Sequence, residues 1–238
     1  MGNRQFGAPV SGWAAPRFPD AEAIEGRWAR LERLQERHAD ALYHANAEDD
    51  AIWDYLPYGP FPSEAGYIRW IKDMAAARDP FFYAVCDRET GLAGAVMSYL
   101  RITPEVGVIE LGHINIAKRL QRTRVATEAM ILMISWAFEA GYRRFEWKCD
   151  ALDLPSRRAA ERLGLSYEGT FRQATIYKGR NRDTAWFAAT DKDWPGLQVA
   201  YEAWLAPGNF DAEGGQREHL SDLTRLVRVA SDPVLAGL

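Results

Sequence analysis

The stretch Gln121-Arg122-Thr123-Arg124-Val125-Ala126-Thr127-Glu128-Ala129 decides the fold, because it joins an apolar run at residues 109–116 to a helical run at residues 125–140. An apolar stripe at helical spacing continues to Gly141, a residue type that commonly follows the end of a helix. A strand, a tight turn and a long helix therefore meet here. N–H groups in the first helical turn have no intrahelical partner, and the helix dipole adds partial positive charge. The segment is typical of a site that holds a pyrophosphate.

The periodicity of the remaining sequence predicts an α+β fold, in which a meander of strands precedes this turn and a hairpin follows it. Helices are predicted at residues 37–48, from an N-cap at Ser63 to before Asp79, at 125–140 and at 156–163. Strands are predicted at residues 28–34, 81–86, 93–102, 109–116, 144–149, 167–177 and 184–190, with the last two joined by a turn at 178–183. This order predicts a mixed, mostly antiparallel sheet flanked by helices.

The composition predicts a globular protein with a substantial core, because the 238 residues are 47% hydrophobic and 12% aromatic. A formal net charge of -4 and a pI near 5.7 argue against non-specific nucleic-acid binding by the whole chain. Cys86 and Cys149 fall in predicted buried strands, which favours a reducing compartment over a disulfide framework. No apolar run approaches the roughly 20 residues of a membrane span, and no export signal is recognisable. A cytoplasmic location is therefore expected, with no membrane contact.

Three segments are predicted along the chain. Residues 1–26 are rich in glycine, proline and alanine without sustained periodicity, so we expect an N-terminal arm on the surface. Residues 27–194 carry the helices and strands of one domain. Residues 195–238 are expected to form a helical C-terminal extension that is broken at Pro207-Gly208-Asn209.

Two further segments carry a family resemblance. Residues 153–165, Asp-Leu-Pro-Ser-Arg-Arg-Ala-Ala-Glu-Arg-Leu-Gly-Leu, followed by residues 167–172, resemble the second signature segment of the GNAT acetyltransferase superfamily. The stretch 121–129 then looks like the acyl-CoA pyrophosphate loop of that superfamily. Residues 178–187 resemble the branch that contains the Rim-type ribosomal-protein N-terminal acetyltransferases. The resemblance implies a GNAT-like sheet with a splayed strand pair for acyl-CoA, and an N-acetyltransferase that works in a ternary complex without an acyl-enzyme.

Acetyl-CoA is the acyl donor that the resemblance implies. Its pyrophosphate is expected against the backbone N–H groups of residues 122–126, and its pantetheine arm along the strand that ends at residues 115–116. One N–H of that strand could serve as the oxyanion donor. The predicted cofactor-binding residues are Asn115, Ile116, Gln121, Arg122, Thr123, Arg124, Val125, Ala126, Thr127, Asp153 and Ser156.

Two of these residues depart from the family pattern. Arg124 stands where many members have glycine, which tolerates positive φ at little steric cost. Either the turn needs no such conformation, or it binds phosphate less closely. Asp153 occupies the usual asparagine position, so it offers an acceptor but no amide donor.

Four side chains are candidates for proton transfer. Glu110 matches an acidic position of the resembling branch and is the first candidate for general base, with an ion-paired residue at a strand edge as its alternative role. Glu146, on the partner strand, is the second candidate. Ser156 matches the family's helix-start serine, so it could protonate the leaving thiolate or cap its own helix. Tyr177 is an alternative acid, or a packing residue.

The acceptor is predicted to be a primary amine on a protein or peptide N-terminus or on a small molecule. Trp53, Tyr55, Tyr58 and Phe61 could form an aromatic wall beside it, or pack against the sheet. The four histidines, His38, His44, His113 and His219, lack metal-ligand spacing, so no metal is expected.

A different class of function starts from the basic residues near the last turn. Arg172, Lys178, Arg180 and Arg182 suit phosphate contacts, which would fit a catalytically weak, acyl-CoA-responsive module that binds RNA or the ribosome. Ion pairing within the turn, through Asp183, is the structural alternative. The extension and the aromatic content also make a homodimer an open possibility.

Overall fold

The computed structural model describes residues 5–212 and 214–237. Within these residues eight strands form one sheet: β1 (Ala23–Glu25), β2 (Ala29–Arg33), β3 (Phe81–Asp87), β4 (Ala93–Thr103), β5 (Val108–Ile116), β6 (Arg144–Asp150), β7 (Ser166–Tyr177) and β8 (Arg180–Thr190). Their order across the sheet is β1-β2-β3-β4-β5-β6-β8-β7. All neighbours are antiparallel except β5 and β6, which are parallel. The predicted mixed, mostly antiparallel sheet is confirmed.

Helices cover both faces of this sheet. In chain order they are α1 (Ala39–Asn46), α2 (Glu64–Ala76), α3 (Arg124–Glu139), α4 (Leu154–Arg162), α5 (Trp194–Leu205) and α6 (Leu220–Thr224). Side chains of α1 and α2 pack on one face, around Phe82 and Val96, and α3, α4 and α5 contribute to a larger core on the other face. None of the helices in the described residues is long and apolar enough to span a bilayer.

One carboxylate lies at the centre of the sheet, on the face of the smaller core. Its direction follows from the alternation of strand residues between the two faces of a sheet. On β5, Ile109 and Leu111 are fully buried in the larger core. Glu110, between them, therefore points to the face of α1 and α2, where the neighbouring Leu100 of β4 lies. The centre of the sheet thus carries a carboxylate on its smaller-core face.

Glu128 of α3 joins this helix to the start of β2. Its buried carboxylate accepts hydrogen bonds from the N–H groups of Arg27 (2.8 Å), Trp28 (2.6 Å) and Ala29 (2.7 Å). A Cβ atom on Gly26 would lie 2.7 Å from this carboxylate, so the close approach requires glycine. These contacts fix the N-terminal half of α3 relative to the sheet.

The parallel pair β5 and β6 splays apart partway along its length. Pairing ends at Leu111 opposite Trp147, after which β5 pairs only with β4, and β6 only with β8. A bulge in β5 opposite Met97 accompanies the splay, and His113 there has a φ of 51°. The predicted splayed strand pair is thus present as a V-shaped opening.

Both terminal segments pack against this domain. β1 lies within the predicted arm and pairs with β2, although residues 1–4 are outside the described part of the chain, as are Glu213 and Leu238 of the predicted extension. The extension contributes buried Tyr201 and Trp204 to the larger core. Arg157 of α4 and Asp232 form a bidentate ion pair with both distances at 2.6 Å. This pair holds the C-terminal segment against the helix that carries Ser156.

Several predicted boundaries are wrong, and α1 is two residues shorter at each end than predicted. The last turn is only two residues, Lys178 and Gly179, because both adopt positive φ (48° and 70°), the backbone twist that suits a tight hairpin. β8 therefore begins at Arg180. Helix α4 begins at Leu154 instead of residue 156.

Candidate active site

The turn before α3 presents backbone N–H groups where the sequence predicts a pyrophosphate. Thr123 caps the helix: its Oγ1 accepts from the Ala126 N–H (3.3 Å) and donates to the Leu120 carbonyl (2.7 Å). The N–H groups of Arg124 and Val125 lie in the first helical turn and have no partner within the helix. The turn can therefore hydrogen-bond an anion at the positive end of the helix dipole.

Arg124 does not need the conformational freedom of glycine. It is the first residue of α3, and Arg122 takes the left-handed conformation instead, with φ 61°. Of the two alternatives for the glycine replacement, the structure supports a turn that needs no positive φ at this position. The Arg124 guanidinium lies 5.1 Å from the centroid of the Trp28 ring.

Gln121 and Thr127 use their side chains on protein partners. Gln121 Nε2 donates to the Ile116 carbonyl (3.0 Å). Thr127 Oγ1 donates to the Thr123 carbonyl (3.0 Å) and accepts from Arg162 Nη1 (3.1 Å). A cofactor contact by Ile116 would therefore use its backbone N–H group, and Thr127 could only accept. The Gln121 N–H already donates to the Ala117 and Lys118 carbonyls, at 3.2 Å each.

Asn115 is 1% exposed, and neither its Nδ2 nor its Oδ1 has a partner among the described residues. It lies on the part of β5 beyond the splay, opposite Val96. A buried amide without partners is costly, so a ligand that both accepts and donates would stabilise it. The side chain of Asn115, and not only its backbone, is therefore available to a bound molecule.

Glu110 is 3% exposed and lies between two cations. Arg101 Nη1 contacts both carboxylate oxygens at 2.7 Å, and Lys148 Nζ lies 2.8 Å from Oε2. Lys148 Nζ is also 3.8 Å from the centroid of the Trp186 ring. The ion-paired role foreseen for Glu110 is observed, and any catalytic role must operate within these ion pairs.

Glu146 faces Glu110 across the parallel pair and shares Lys148 with it. Its carboxylate contacts Lys148 Nζ (2.7 Å) and Arg144 Nε (2.7 Å). Burial alone would raise the pKa of Glu146, but these two hydrogen bonds outweigh it and leave the pKa below its usual value. Glu146 is therefore ionised at neutral pH.

Asp153, and not Ser156, caps the N-terminus of α4. The Asp153 carboxylate caps the helix by accepting from the Ser156 N–H at 3.0 Å, and Pro155 occupies the first turn, where no N–H is needed. The alternative in which Ser156 caps its own helix is wrong. Burial raises the pKa of Asp153. Ser156 Oγ accepts from Trp147 Nε1 (3.0 Å), so its own proton is available for a further acceptor, and the Cys149 thiol lies beside it.

Tyr177 lies at the end of β7 with its hydroxyl on Asp150 Oδ2, at 2.8 Å. Burial, followed by this hydrogen bond and the nearby carboxylate charge, raises the pKa of Tyr177. A phenol with a raised pKa remains protonated but donates its proton less readily.

The four aromatic residues of the loop before α2 divide into two groups. Trp53 is 2% exposed and packs with Phe61 in the smaller core, where the packing role holds. Tyr58 stacks on His113 with an interplanar angle of 9°. Tyr55 is exposed and donates to the Leu152 carbonyl (3.3 Å), so it reaches towards the start of α4. Tyr55 and Tyr58 border the opening between β5 and β6, whereas Trp53 packs beneath the loop in the smaller core.

His113 is a site residue that the sequence reasoning missed, because the histidines were considered only as metal ligands. Its Nδ1 lies 3.0 Å from the Tyr58 hydroxyl, which has no other partner among the described residues. Burial, then the charges of Arg101 and Arg182, lower the pKa of His113 to about 4. The imidazole is therefore neutral at neutral pH.

One cluster of metal-ligand types occurs among the described residues, at Glu32, His38 and Cys86. His38 Nδ1 accepts from the Gln35 N–H (3.1 Å), and Nε2 faces Glu32 at 2.9 Å. The carboxylate also contacts Arg30 and Arg37, each at 2.7 Å. Both ring nitrogens are occupied and two guanidinium groups are adjacent, so this cluster does not suit a cation.

The basic residues of the last hairpin do not form one patch. Lys178 Nζ donates to the Trp53 carbonyl (2.7 Å), which joins the hairpin to the loop before α2. Arg172 and Arg180 are exposed, and Arg182 is half-buried. Asp183 accepts from the Gln173 N–H (2.7 Å) instead of pairing with these cations.

A splayed parallel strand pair beside a helix N-terminus, with polar groups at its centre, is the arrangement that the resemblance to acetyltransferases implies for acyl-CoA. Residues 29–166 match the family model described as acetyltransferase (GNAT) domain. A GCN5-related N-acetyltransferase from Brucella melitensis is 40% identical, with a TM-score of 0.88 over 91% of this chain and 100% of that one. The chain belongs to the GNAT acetyltransferase family and is an N-acetyltransferase.

Two other solved structures share the fold. A GNAT-family acetyltransferase candidate from Chromobacterium violaceum is 39% identical, with a TM-score of 0.76 over 82% of this chain and 99% of that one. A candidate ribosomal-protein-serine acetyltransferase from Vibrio cholerae is 19% identical, with a TM-score of 0.63 over 71% of this chain and 97% of that one. Among curated proteins, none matches this chain.

Proposed function

We propose that the protein transfers the acetyl group of acetyl-CoA to a primary amine by direct attack in a ternary complex. The observation that carries the proposal is the V-shaped opening between β5 and β6, with the α3 N-terminus and Glu110 close to it. GNAT acetyltransferases use acetyl-CoA, which the opening would accommodate. The pyrophosphate would accept from the Arg124 and Val125 N–H groups, and a pantetheine amide would pair with the Asn115 side chain.

The proton steps follow from the hydrogen bonds of the site. The amine nitrogen attacks the thioester carbonyl carbon, the C–N bond forms, and the C–S bond then breaks. Ser156, whose hydroxyl accepts from Trp147 and has its proton available for a further acceptor, is our candidate acid for the departing thiolate. Glu110 is our candidate base, and it acts through water because Arg101 and Lys148 already contact its oxygens.

The acceptor class remains a proposal. Likeness to a candidate ribosomal-protein-serine acetyltransferase, together with the hairpin sequence, favours a protein or peptide α-amine, and a small amine is the other class. We also propose a cytoplasmic location, because Cys86 and Cys149 are free thiols, as expected in a reducing compartment. The RNA-binding alternative has weaker support, since the Lys178 ammonium donates to the Trp53 carbonyl and Arg182 is half-buried.

Calorimetric binding of acetyl-CoA, followed by CoA release with panels of α-amino peptides and small amines, tests the proposal. We expect saturable binding and amine-dependent release. Tight acetyl-CoA binding with no release across the panel would contradict the enzymatic proposal, and salt-dependent RNA binding would then support the module.

The base assignment needs its own comparison, because Glu110→Gln also removes the partner of Arg101 and Lys148. Glu110→Gln is therefore compared with Arg101→Gln, which breaks one of the same ion pairs and keeps the carboxylate. If Glu110 is the base, Glu110→Gln loses far more of kcat than Arg101→Gln does. Equal losses of kcat in the two variants would make Glu110 a structural residue. Exposed Arg172→Gln is the matched control.

A further inference from the structure

Arg182 differs from the cations at the centre of the sheet, because its side chain has no ion pair with the described residues. Lys148 and Arg101 contact Glu110, and Arg144 contacts Glu146 and Glu168. The side chain of Arg182 makes no ion pair or hydrogen bond with the described residues, and its Nε is buried without a partner. Its guanidinium lies 5.7 Å from the centroid of the Tyr177 ring, and its positive charge acts on the Asp153 carboxylate nearby.

The position of Arg182 in β8 directs it to the acceptor side of the sheet. Residues 182, 184 and 186 alternate onto the same face. Trp186 of this set lies under Lys148 Nζ, and Thr184 pairs with Asp150, the partner of Tyr177. The charge of Arg182 also contributes to the lowered pKa of His113, on the far side of the opening. Arg182 therefore lies beside the candidate catalytic groups and not on the outer face of the hairpin.

A second donor on this face is also unsatisfied. Trp186 Nε1 is buried and has no partner among the described residues. Buried donors without acceptors are costly, and in native proteins they commonly await a ligand, ion or water. Both unsatisfied groups are donors, so each of them calls for a group that accepts hydrogen bonds. The charge of Arg182 favours an anion over a neutral carbonyl.

We propose that the acetyl acceptor is an amine that also carries an anionic oxygen group, a carboxylate or a phosphate, and that Arg182 binds this group. The inference rests on the proposed acetyl transfer and names the chemical class of its acceptor. Arg182 then selects substrates, because a neutral or purely cationic amine leaves its guanidinium unpaired in a partly buried site.

The test compares matched acceptors at saturating acetyl-CoA. One pair is an amino acid and its carboxamide, and the other is an aminoalkyl phosphate and the corresponding amino alcohol. We expect kcat/KM to be at least tenfold higher for the anionic member of one pair, which also identifies the anion. In Arg182→Gln this preference should fall about tenfold, mostly through KM, with unchanged acetyl-CoA binding and thermal stability. Exposed Arg180→Gln, on the same hairpin, is the control and should keep the preference.

Equal or better turnover of the neutral members, or turnover only of amines without an anionic group, would overturn the inference and leave acetyl transfer standing. If no amine is turned over, acetate and phosphate are titrated into the CoA complex against chloride at equal ionic strength. The probe is the arginine Nε–H NMR signal that disappears in Arg182→Gln. A saturable shift of that signal supports the anion site, whereas its absence overturns it. Failure to bind acetyl-CoA would instead refute the proposed function.

Discussion

Replacement of Asn115 by leucine should stabilise the protein and weaken acetyl-CoA binding at the same time. Leucine has the same branching as asparagine, and the buried amide it removes has two atoms without partners. Leaving a buried polar group unsatisfied costs about 1–3 kcal/mol. We therefore expect the free energy of unfolding to rise by about 2 kcal/mol, which corresponds to about 4–8 °C in Tm for a chain of this size.

The bound state should respond in the opposite direction. If the Asn115 amide pairs with pantetheine, the variant loses two hydrogen bonds worth about 0.5–1.5 kcal/mol each. The Kd for acetyl-CoA should then rise by about tenfold or more, since 1.4 kcal/mol corresponds to a factor of ten. Thermal unfolding with and without acetyl-CoA measures both effects. Lower stability without ligand, or unchanged affinity, would refute the reasoning. Asn46→Leu is the control, because Asn46 also has one buried amide atom without a partner but lies in α1.

Three further predictions concern stability. Glu128→Gln should lower the free energy of unfolding by about 3 kcal/mol in urea titrations, because three N–H groups lose their carboxylate, whereas exposed Glu139→Gln should change little. Asp232→Ala should cost about 3–5 kcal/mol by leaving Arg157 buried and unpaired, and a double change of this pair to apolar residues should cost less. The lowered pKa of His113, about 4 against a usual 6.5, means that the unfolded chain binds the proton first as pH falls. His113 therefore contributes stability above pH 6.5 that is lost towards pH 4, and His113→Phe should remove about 2.5 kcal/mol of the loss measured between pH 7 and 4.5.

The elements around the pyrophosphate turn could be predicted because their signals are local. The apolar stripe of α3, the Ser63 cap and the strand alternation all depend on residues within one or two turns of each other. The signal for the start of α4 is also local. An aspartate two residues before a proline favours a helix start, and this signal outweighs the serine that follows. The family resemblance placed the start of this helix at Ser156 instead.

The environment of the candidate base could not be predicted, because it depends on register between distant strands. Lys148 reaches Glu110 only because β5 and β6 are parallel, with Glu110 opposite Glu146. Arg101 reaches it across the β4–β5 connection, beyond a register shift. A one-residue slip of either strand would turn these side chains to the other face. The role proposed for Arg182 could not be predicted for the same reason, because the sequence shows its charge but not that its side chain has no ion-pair partner.

The ion pairs at the centre of the sheet form one chain across four strands, with alternating charges. Its members are Arg101, Glu110, Lys148, Glu146, Arg144 and Glu168. Three cations and three carboxylates leave this chain neutral, so it neither attracts nor repels a charged acceptor strongly. Arg182 stands outside this chain of ion pairs, so its charge would act on the acceptor itself. Under the two proposals made above, catalysis and selection are divided: water at Glu110 would carry the proton, and the Arg182 guanidinium would select the acceptor.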